Sequence, residues 1–434
     1  MARPKKTENK KSQKTAAFQT VKGMADILPK DQNWWKTIWQ TGQNVSDLHD
    51  FYFIETPILE AAGLFESGTG LTTDIVEKQM YVFKTRGGDR LALRPEGTPS
   101  VMRSYLQHHL GYFFSPLKVY YYGPMFRYER SQAGREREFH QWGFEIIGEN
   151  DPFYDTEIIL TVLDFFRALK IKEPVLKINT IGCRVCRPNY KQKLKDYYHL
   201  NKSRLCADCE RRYEKNPLRL LDCKEPDCQP LKEKAPIILN YLCQACNSHF
   251  RSVLELVEDN NIAYESDPFL VRGLDYYSRT VFEFFAPEGG GLALAAGGRY
   301  DYLSEQLGGR LMPSVGVALG VERIINFMKE SGLSPTIKLK PKVFFAAAGE
   351  QAKKSSLKLM TQLRAAGVQV AESVGKKTLK GQLKAANKIK APLVIILGQK
   401  EVFEGVVIIR DMETGAQENI LLEKMVEEVK KRLR

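Results

Sequence analysis

Apolar residues recur at helical spacing between positions 31 and 50. Trp34, Trp35, Ile38, Val45 and Leu48 fall on one stripe, and Asp31 is placed to cap its start. The aromatic run after it, 51–56, reads as a strand stopped by Pro57. Short β-rich runs at 81–83, 90–93, 119–122 and 139–147 predict an antiparallel sheet, with a helix over 98–109. A helix over 157–170 and a strand over 175–179 follow. Strand-like patterning resumes over 269–285 and 292–300, and 316–328 reads as a strand passing into a helix. Beyond a linker at 331–341 the pattern becomes β-α-β-α-β, with strands at 343–348, 368–371 and 392–397 and helices at 353–366 and 379–389. That alternation predicts a small α/β domain with a largely parallel sheet. The expected architecture is an α+β domain over 18–330 with an antiparallel sheet, and a C-terminal α/β domain over 338–434.

One stretch differs from its surroundings. All eight cysteines lie between 183 and 246, so residues 180–260 are expected to form a cysteine-rich insertion within the larger domain. The chain's 434 residues exceed what one ordinary core organises, and 43% apolar and 10% aromatic residues suit a globular protein. The apolar runs stay far below the roughly 20 residues of a membrane helix, and the N-terminus has no apolar signal core. A cytoplasmic protein without a membrane partner is expected.

Charge sharpens this picture. The net charge is +13, of which residues 1–22 contribute +6 and residues 376–390, with six lysines and no acid, another +6. The rest is nearly neutral, so two basic segments carry the field and suit a polyanion such as RNA. The first of them begins in a basic tail, 1–17, expected to be disordered.

Candidate chemistry gathers in five segments. Leu93-Arg94-Pro95-Glu96-Gly97-Thr98 offers a carboxylate and a hydroxyl two residues apart, able to hold an amino group. Residues 123–145 read as a hairpin with an arginine-rich connection containing Arg127, Arg130 and Arg135, and guanidinium forks suit phosphate. In 270–280, Arg272 lies in an apolar stretch read as a strand, where it needs an anion, and Tyr276 and Tyr277 would point to opposite faces. Small residues in 296–301 and 316–323 let a flat ligand approach the backbone, and Arg323 follows.

In order and content these segments resemble the class II aminoacyl-tRNA synthetases of the histidyl type. Gly23-Met24-Ala25-Asp26-Ile27-Leu28-Pro29 is similar to the family's N-terminal signature. The stretch up to Pro57 resembles motif 1, which builds a dimer. Phe126-Arg127-Tyr128-Glu129 resembles motif 2, Gly320-Val321-Glu322-Arg323 resembles motif 3, and 270–277 and 296–301 resemble segments peculiar to histidyl enzymes. The family usually has Arg, His and Pro where Ala25, Tyr128 and Ser131 stand. The resemblance implies a class II catalytic domain, a C-terminal anticodon-binding domain and a homodimer. It implies ligation of L-histidine to tRNA(His) through histidyl-adenylate, with ATP as substrate and Mg2+ accompanying it.

It also implies roles. Glu96, Gly97 and Thr98 would hold the histidine amino group, helped by Gln141. Glu145 and Tyr277 would meet the two imidazole nitrogens, with Tyr276 lining the pocket. Arg127 and Arg272 would act on the α-phosphate and the histidine carboxylate as the catalytic pair. Arg135 and Arg323 would meet the rest of ATP, and Arg130 and Gln132 the tRNA acceptor end. A non-catalytic paralogue would lack both the 272–277 segment and the C-terminal domain.

The cysteine spacings Cys183-x2-Cys186, Cys206-x2-Cys209, Cys223-x4-Cys228 and Cys243-x2-Cys246 suit structural Zn2+. The first two pairs could form one four-thiolate set and the last two another, or the pairing could cross between sets.

Overall fold

A computed structural model describes residues 18–70, 73–130, 134–287, 291–337, 342–375 and 378–433. The expected tail 1–17, Gln132, Lys376 and Lys377 lie outside the described residues. The chain forms two compact units, residues 1–337 and 338–434.

The first unit is built on an eight-stranded sheet. Its order is Tyr52–Phe53, Leu117–Phe126, Glu138–Ile147, Ser314–Gly320, Ala295–Arg299, Ser278–Phe285, Val175–Thr180 and Glu265–Ser266. The six inner strands pair antiparallel, as expected, whereas both two-residue edge strands pair parallel. Alternation along Glu138–Ile147 divides its two faces. Trp142, Phe144 and Ile146 enter a core that also takes Ile38 and Val45 of helix Gln32–Leu48, Phe165 of Phe153–Ala168, Val253 of Gln244–Asp259 and Ile324 of Val321–Glu330. Gln141, Gly143 and Glu145 turn to the opposite face. Beneath the sheet, Arg299 and Asp155, both fully buried, form an ion pair, and Arg299 Nε also donates to Asp301 (3.1 Å).

Residues 270–277 depart from the sequence reading. They form a turn-rich loop rather than a strand. The described contacts that hold this backbone come from outside a strand ladder. Asn179 Nδ2 donates to the Leu270 carbonyl (2.9 Å), the Asp275 amide to the Thr69 carbonyl (3.0 Å) and Asn216 Nδ2 to Asp275 Oδ1 (2.8 Å). Tyr276 and Tyr277 therefore do not alternate. Their ring centroids lie 4.7 Å apart and both side chains are buried.

The cysteine-rich stretch connects Val175–Thr180 to Glu265–Ser266 and Ser278–Phe285 within the sheet. Its Tyr190, Leu194, Leu220 and Leu231 share one buried cluster with Tyr276 and Tyr277.

The second unit carries a five-stranded sheet ordered Val370–Glu372, Val343–Ala347, Leu393–Leu397, Val406–Asp411, Gln417–Leu421. The first three strands are parallel and the last two antiparallel. The expected β-α-β-α-β pattern is present but ends in a hairpin, so the sheet is mixed. Val343–Ala347 and Leu393–Leu397 are buried throughout, as central parallel strands are.

Candidate active site

In the first unit, the sheet face opposite those four helices bears an open cleft. Glu96, Thr98, Arg127, Arg135, Gln141, Arg272, Tyr276, Tyr277 and Arg323, all singled out from sequence, line it together, and Glu145, also singled out, lies buried behind the lining residues Thr98 and Tyr300.

Behind Thr98 and Tyr300, Glu145 is fully buried. Its Oε1 accepts from Thr98 Oγ1 (2.6 Å) and its Oε2 from the Tyr300 hydroxyl (2.5 Å). Burial pushes the carboxyl up to about 8 against the pull of these two donors, and the nearby Glu96 charge adds to the rise. Gly316 lies opposite Glu145 in the sheet register, and a Cβ there would fall 1.6 Å from Glu145 Oε2. Only glycine leaves room for that carboxylate.

Glu96, 4% exposed, accepts from Thr69 Oγ1 (2.5 Å) and the Tyr276 hydroxyl (2.6 Å). Burial raises its pKa, while the two hydroxyls and then Arg127 and Arg272 oppose the rise. Thr98, expected with Glu96 at an amino group, donates to Glu145, and Thr69 is the threonine that donates to Glu96. Gln141 Oε1 is buried with no hydrogen-bond partner among the described residues. Gly97 is not part of the lining. A Cβ there would lie 2.3 Å from the Tyr121 ring, and one at Gly143 2.1 Å, so the two glycines admit that ring between them.

The cationic side of the cleft is pre-set. Arg127 Nε donates to the Pro95 carbonyl (2.9 Å), and its guanidinium lies 5.2 Å from the Phe139 ring centroid. Arg323 donates to the Gly134 (3.1 Å) and Ala293 (2.8 Å) carbonyls. Burial lowers its pKa, and the charges of Arg127 and Arg135 lower it further. Arg135 reaches Glu129 at 3.5 Å. Arg272 pairs with Glu283 and sits over the Tyr277 ring at 5.4 Å. Burial alone would lower its pKa, and Glu283 together with the Tyr277 and Tyr276 phenols more than reverses this. Arg130 is exposed outside the lining.

Sequence reasoning missed Thr69, Tyr121, Glu283 and Tyr300 as site residues. Tyr300 lay inside a quoted segment and Glu283 is the one acid on an apolar strand. Thr69 carried no local signal.

The cysteines gather in two clusters, Cys183, Cys186, Cys243, Cys246 and Cys206, Cys209, Cys223, Cys228, each with its sulfurs within 4.8 Å of one another. Of the pairings open from sequence, the structure takes a crossed one.

Residues 23–324 match the family model for histidyl-tRNA synthetase, and 342–432 that for an anticodon binding domain. The chain is 44% identical to a histidine–tRNA ligase of Dehalococcoides mccartyi, over 96% of this chain and all of that one. It is 43% identical to the histidine–tRNA ligase of Syntrophotalea carbinolica, over 93% of this chain and 96% of the relative. The crystal structure of apo Staphylococcus aureus histidyl-tRNA synthetase superposes with a TM-score of 0.79 at 32% identity, covering 95% of this chain and 99% of the other.

Proposed function

The chain belongs to the histidyl-tRNA synthetase family and ligates L-histidine to tRNA(His) at the expense of ATP, and we propose the following roles for its residues in that reaction. Glu96 and Gln141 bind the α-ammonium of histidine, with Thr69 and Tyr276 holding the Glu96 carboxylate in place. The partnerless Gln141 Oε1 supports this, since a buried acceptor calls for a donor. Glu145 accepts from one imidazole nitrogen and the Tyr277 hydroxyl serves the other. A neutral imidazole carries one donor and one acceptor, so an amino acid lacking either leaves a buried polar group unpaired.

Arg127 and Arg272 flank the α-phosphate. The histidine carboxylate oxygen attacks that phosphorus, the bond to the β-phosphate oxygen breaks, and pyrophosphate leaves. Negative charge grows on the α-phosphate oxygens, and fixed guanidinium groups stabilise it. No protein nucleophile is needed, because in-line placement of the reactants lowers the barrier. A terminal ribose hydroxyl of the tRNA then attacks the acyl carbon and AMP leaves.

Arg135 and Arg323 hold the outer phosphates and adenine side of ATP. Mg2+ enters with ATP as its counter-ion. Two of the cleft carboxylates are engaged elsewhere, Glu129 with Arg135 and Glu322 with His140 Nδ1 at 2.8 Å. Arg130 and Gln132 meet the acceptor end of the tRNA. The exposed Lys380, Lys384, Lys388 and Lys390 of the C-terminal unit meet its phosphates.

A homodimer is supported by apolar side chains left at the surface around the first strands, including Tyr52, Phe53, Ile58, Leu59, Val82 and Phe83. Free cysteines and the need for tRNA favour the cytoplasm, and no helix among the described residues is long and apolar enough to cross a membrane. The cysteine-rich stretch takes structural Zn2+.

The observation that carries the catalytic reading is the placement of the buried carboxylate Glu96 in one cleft with Arg127 and Arg272, with Glu145 held directly behind the lining by Thr98 and Tyr300. Histidine-dependent exchange of pyrophosphate into ATP tests it. Arg272→Ala should lower the exchange rate by about 10²–10³-fold. Near wild-type exchange in that variant overturns the role of Arg272.

A further inference from the structure

We infer that the cysteine-rich stretch holds two separate tetrathiolate zinc sites, and that these sites brace the loop carrying Arg272, Tyr276 and Tyr277. The inference deepens the proposal of structural Zn2+ and rests on the role given above to Tyr277 in histidine binding.

The sulfur geometry comes first. Cys183 Sγ lies 3.8 Å from both Cys186 Sγ and Cys243 Sγ, and Cys186 Sγ lies 3.8 Å from Cys246 Sγ. In the second cluster Cys206 Sγ and Cys223 Sγ are also 3.8 Å apart. A tetrahedron with zinc–sulfur bonds of about 2.3 Å has sulfur–sulfur edges of about 3.8 Å. A disulfide would need about 2.05 Å. Four thiols converge in each cluster, and among the described residues no histidine or carboxylate joins either set, so the chemistry selected is a soft, tetrahedral divalent cation of the zinc class.

The backbone is arranged for thiolates. The Cys183 amide points at Cys186 Sγ (3.2 Å) and the Cys206 amide at Cys228 Sγ (3.5 Å). In each cluster one Cys-x2-Cys pair opens a helix. Cys243 caps Gln244–Asp259 and Cys206 caps Ala207–Lys215, each followed three residues on by a second ligand, Cys246 and Cys209. The positive ends of two helices thus face the sulfurs. Gly182, at φ +65°, makes the remaining space, since a Cβ there would fall 2.7 Å from Cys186 Sγ.

Both sites reach the histidine pocket through named bonds. The first site ends in Arg187, next to Cys186. Its guanidinium donates to the carbonyls of Ile181 (3.2 Å), Gly182 (3.0 Å) and Tyr277 (2.7 Å). The helix that opens at Cys206 leads into Asn216, whose amide nitrogen holds Asp275 at 2.8 Å. Arg187 and Asn216 are therefore positioning residues. They secure a loop that has no strand ladder of its own, and the metal ions fix the segments from which they extend.

Elemental analysis of the full-length protein, purified without added metal and dialysed extensively, should find two zinc ions per chain. Fewer than one overturns the inference. The double variant Cys183→Ser/Cys243→Ser should keep one ion, while Cys183→Ser/Cys206→Ser should keep none. Equal losses in the two would overturn the pairing. If these variants do not fold, cobalt exchanged into the wild-type protein decides, because two equivalents of tetrathiolate cobalt give strong visible bands and a sulfur-to-metal charge-transfer band. A spectrum of octahedral cobalt overturns the inference. Arg187→Ala should retain both ions and raise the KM for histidine about tenfold with the KM for ATP unchanged. An unchanged histidine KM breaks the link to the pocket. The metal counts do not depend on activity, so their failure is distinguishable from failure of the catalytic assignment.

Discussion

Replacing Glu145 by Gln should make the protein more stable at alkaline pH while disabling it. The carboxyl is fully buried and its pKa stands at about 8 rather than the ordinary 4.5. Below 4.5 the group is protonated in folded and unfolded chains alike and nothing is lost. Between 4.5 and 8 the folded chain keeps a proton that the unfolded chain has released, so stability falls as pH rises. The slope is about 1.4 kcal/mol per pH unit, and the accumulated loss above pH 8 is on the order of 5 kcal/mol. The replacement amide would be neutral throughout and would still accept from one of the Thr98 and Tyr300 hydroxyls while donating to the other. Titrating groups that do not interact with Glu145 are common to both proteins and cancel in the difference, and the Glu96 coupling is a smaller contribution than burial. Urea unfolding of the ligand-free proteins from pH 5 to 9, read by the fluorescence of buried Trp142 among the other tryptophans, should give curves that agree at the acid end. They should diverge by several kcal/mol at the alkaline end, with E145Q the more stable. Pyrophosphate exchange should show a histidine KM raised by on the order of 10²-fold, the scale of a lost hydrogen bond to a charged group. Parallel stability curves, or a variant less stable at pH 9, would refute the claim that the fold opposes ionisation of Glu145.

Two further outcomes follow from the same geometry. Gly316→Ala would drive a Cβ to 1.6 Å from Glu145 Oε2, so histidine-dependent exchange should fall at least about 100-fold in a protein that still binds ATP by calorimetry; normal histidine affinity would show that the carboxylate has room elsewhere. Changing Lys380, Lys384, Lys388 and Lys390 together to Gln should raise the KM for tRNA without altering pyrophosphate exchange, and should reduce the slope of log affinity against log salt by up to about 3; an unchanged slope would remove that helix from the tRNA surface.

The catalytic sheet was legible wherever side-chain alternation decided the outcome. Residues 139–147 were read nearly to the residue, because one face is buried by large apolar groups and the other carries Gln141 and Glu145; the strands at 81–83 and 90–93, expected in the same sheet, instead pair with Leu59–Ala61 in a separate three-stranded sheet. Residues 270–277 were misread because an apolar run beside tyrosines looks like a strand whether or not neighbours are present to pair with it. The deciding bonds come from Asn179, Asn216 and Thr69, which are distant in sequence. For the same reason the Thr98–Glu145 bond went unread, because Thr98 lies next to Glu96 in sequence but beside Glu145 across the fold. The C-terminal hairpin, Val406–Asp411 with Gln417–Leu421, went unread beyond the parallel core. It lies at the sheet edge, where burial is partial and the pattern weak. The cysteine pairing was open in sequence because spacing records only which thiols are close along the chain.

The distribution of charge in the cleft bears on why histidine is selected. Glu96 feels Arg127 and Arg272, so its ionised form has cations within the protein itself. The groups acting on Glu145 are burial, the Thr98 and Tyr300 hydroxyls and the Glu96 charge, and the charge works against it. Arg272, the cation nearest in role, is already matched by Glu283. Glu145 is thus a carboxyl whose ionisation the protein opposes and which a ligand can relieve by bringing a proton-bearing nitrogen to it. An arginine at the base of the pocket would have neutralised this carboxylate internally, and any flat side chain of similar size would then have bound nearly as well. In the proposed binding mode, with the arginines at the phosphate side and no cation among the groups acting on Glu145 in the described residues, the imidazole N–H is the group that completes the site.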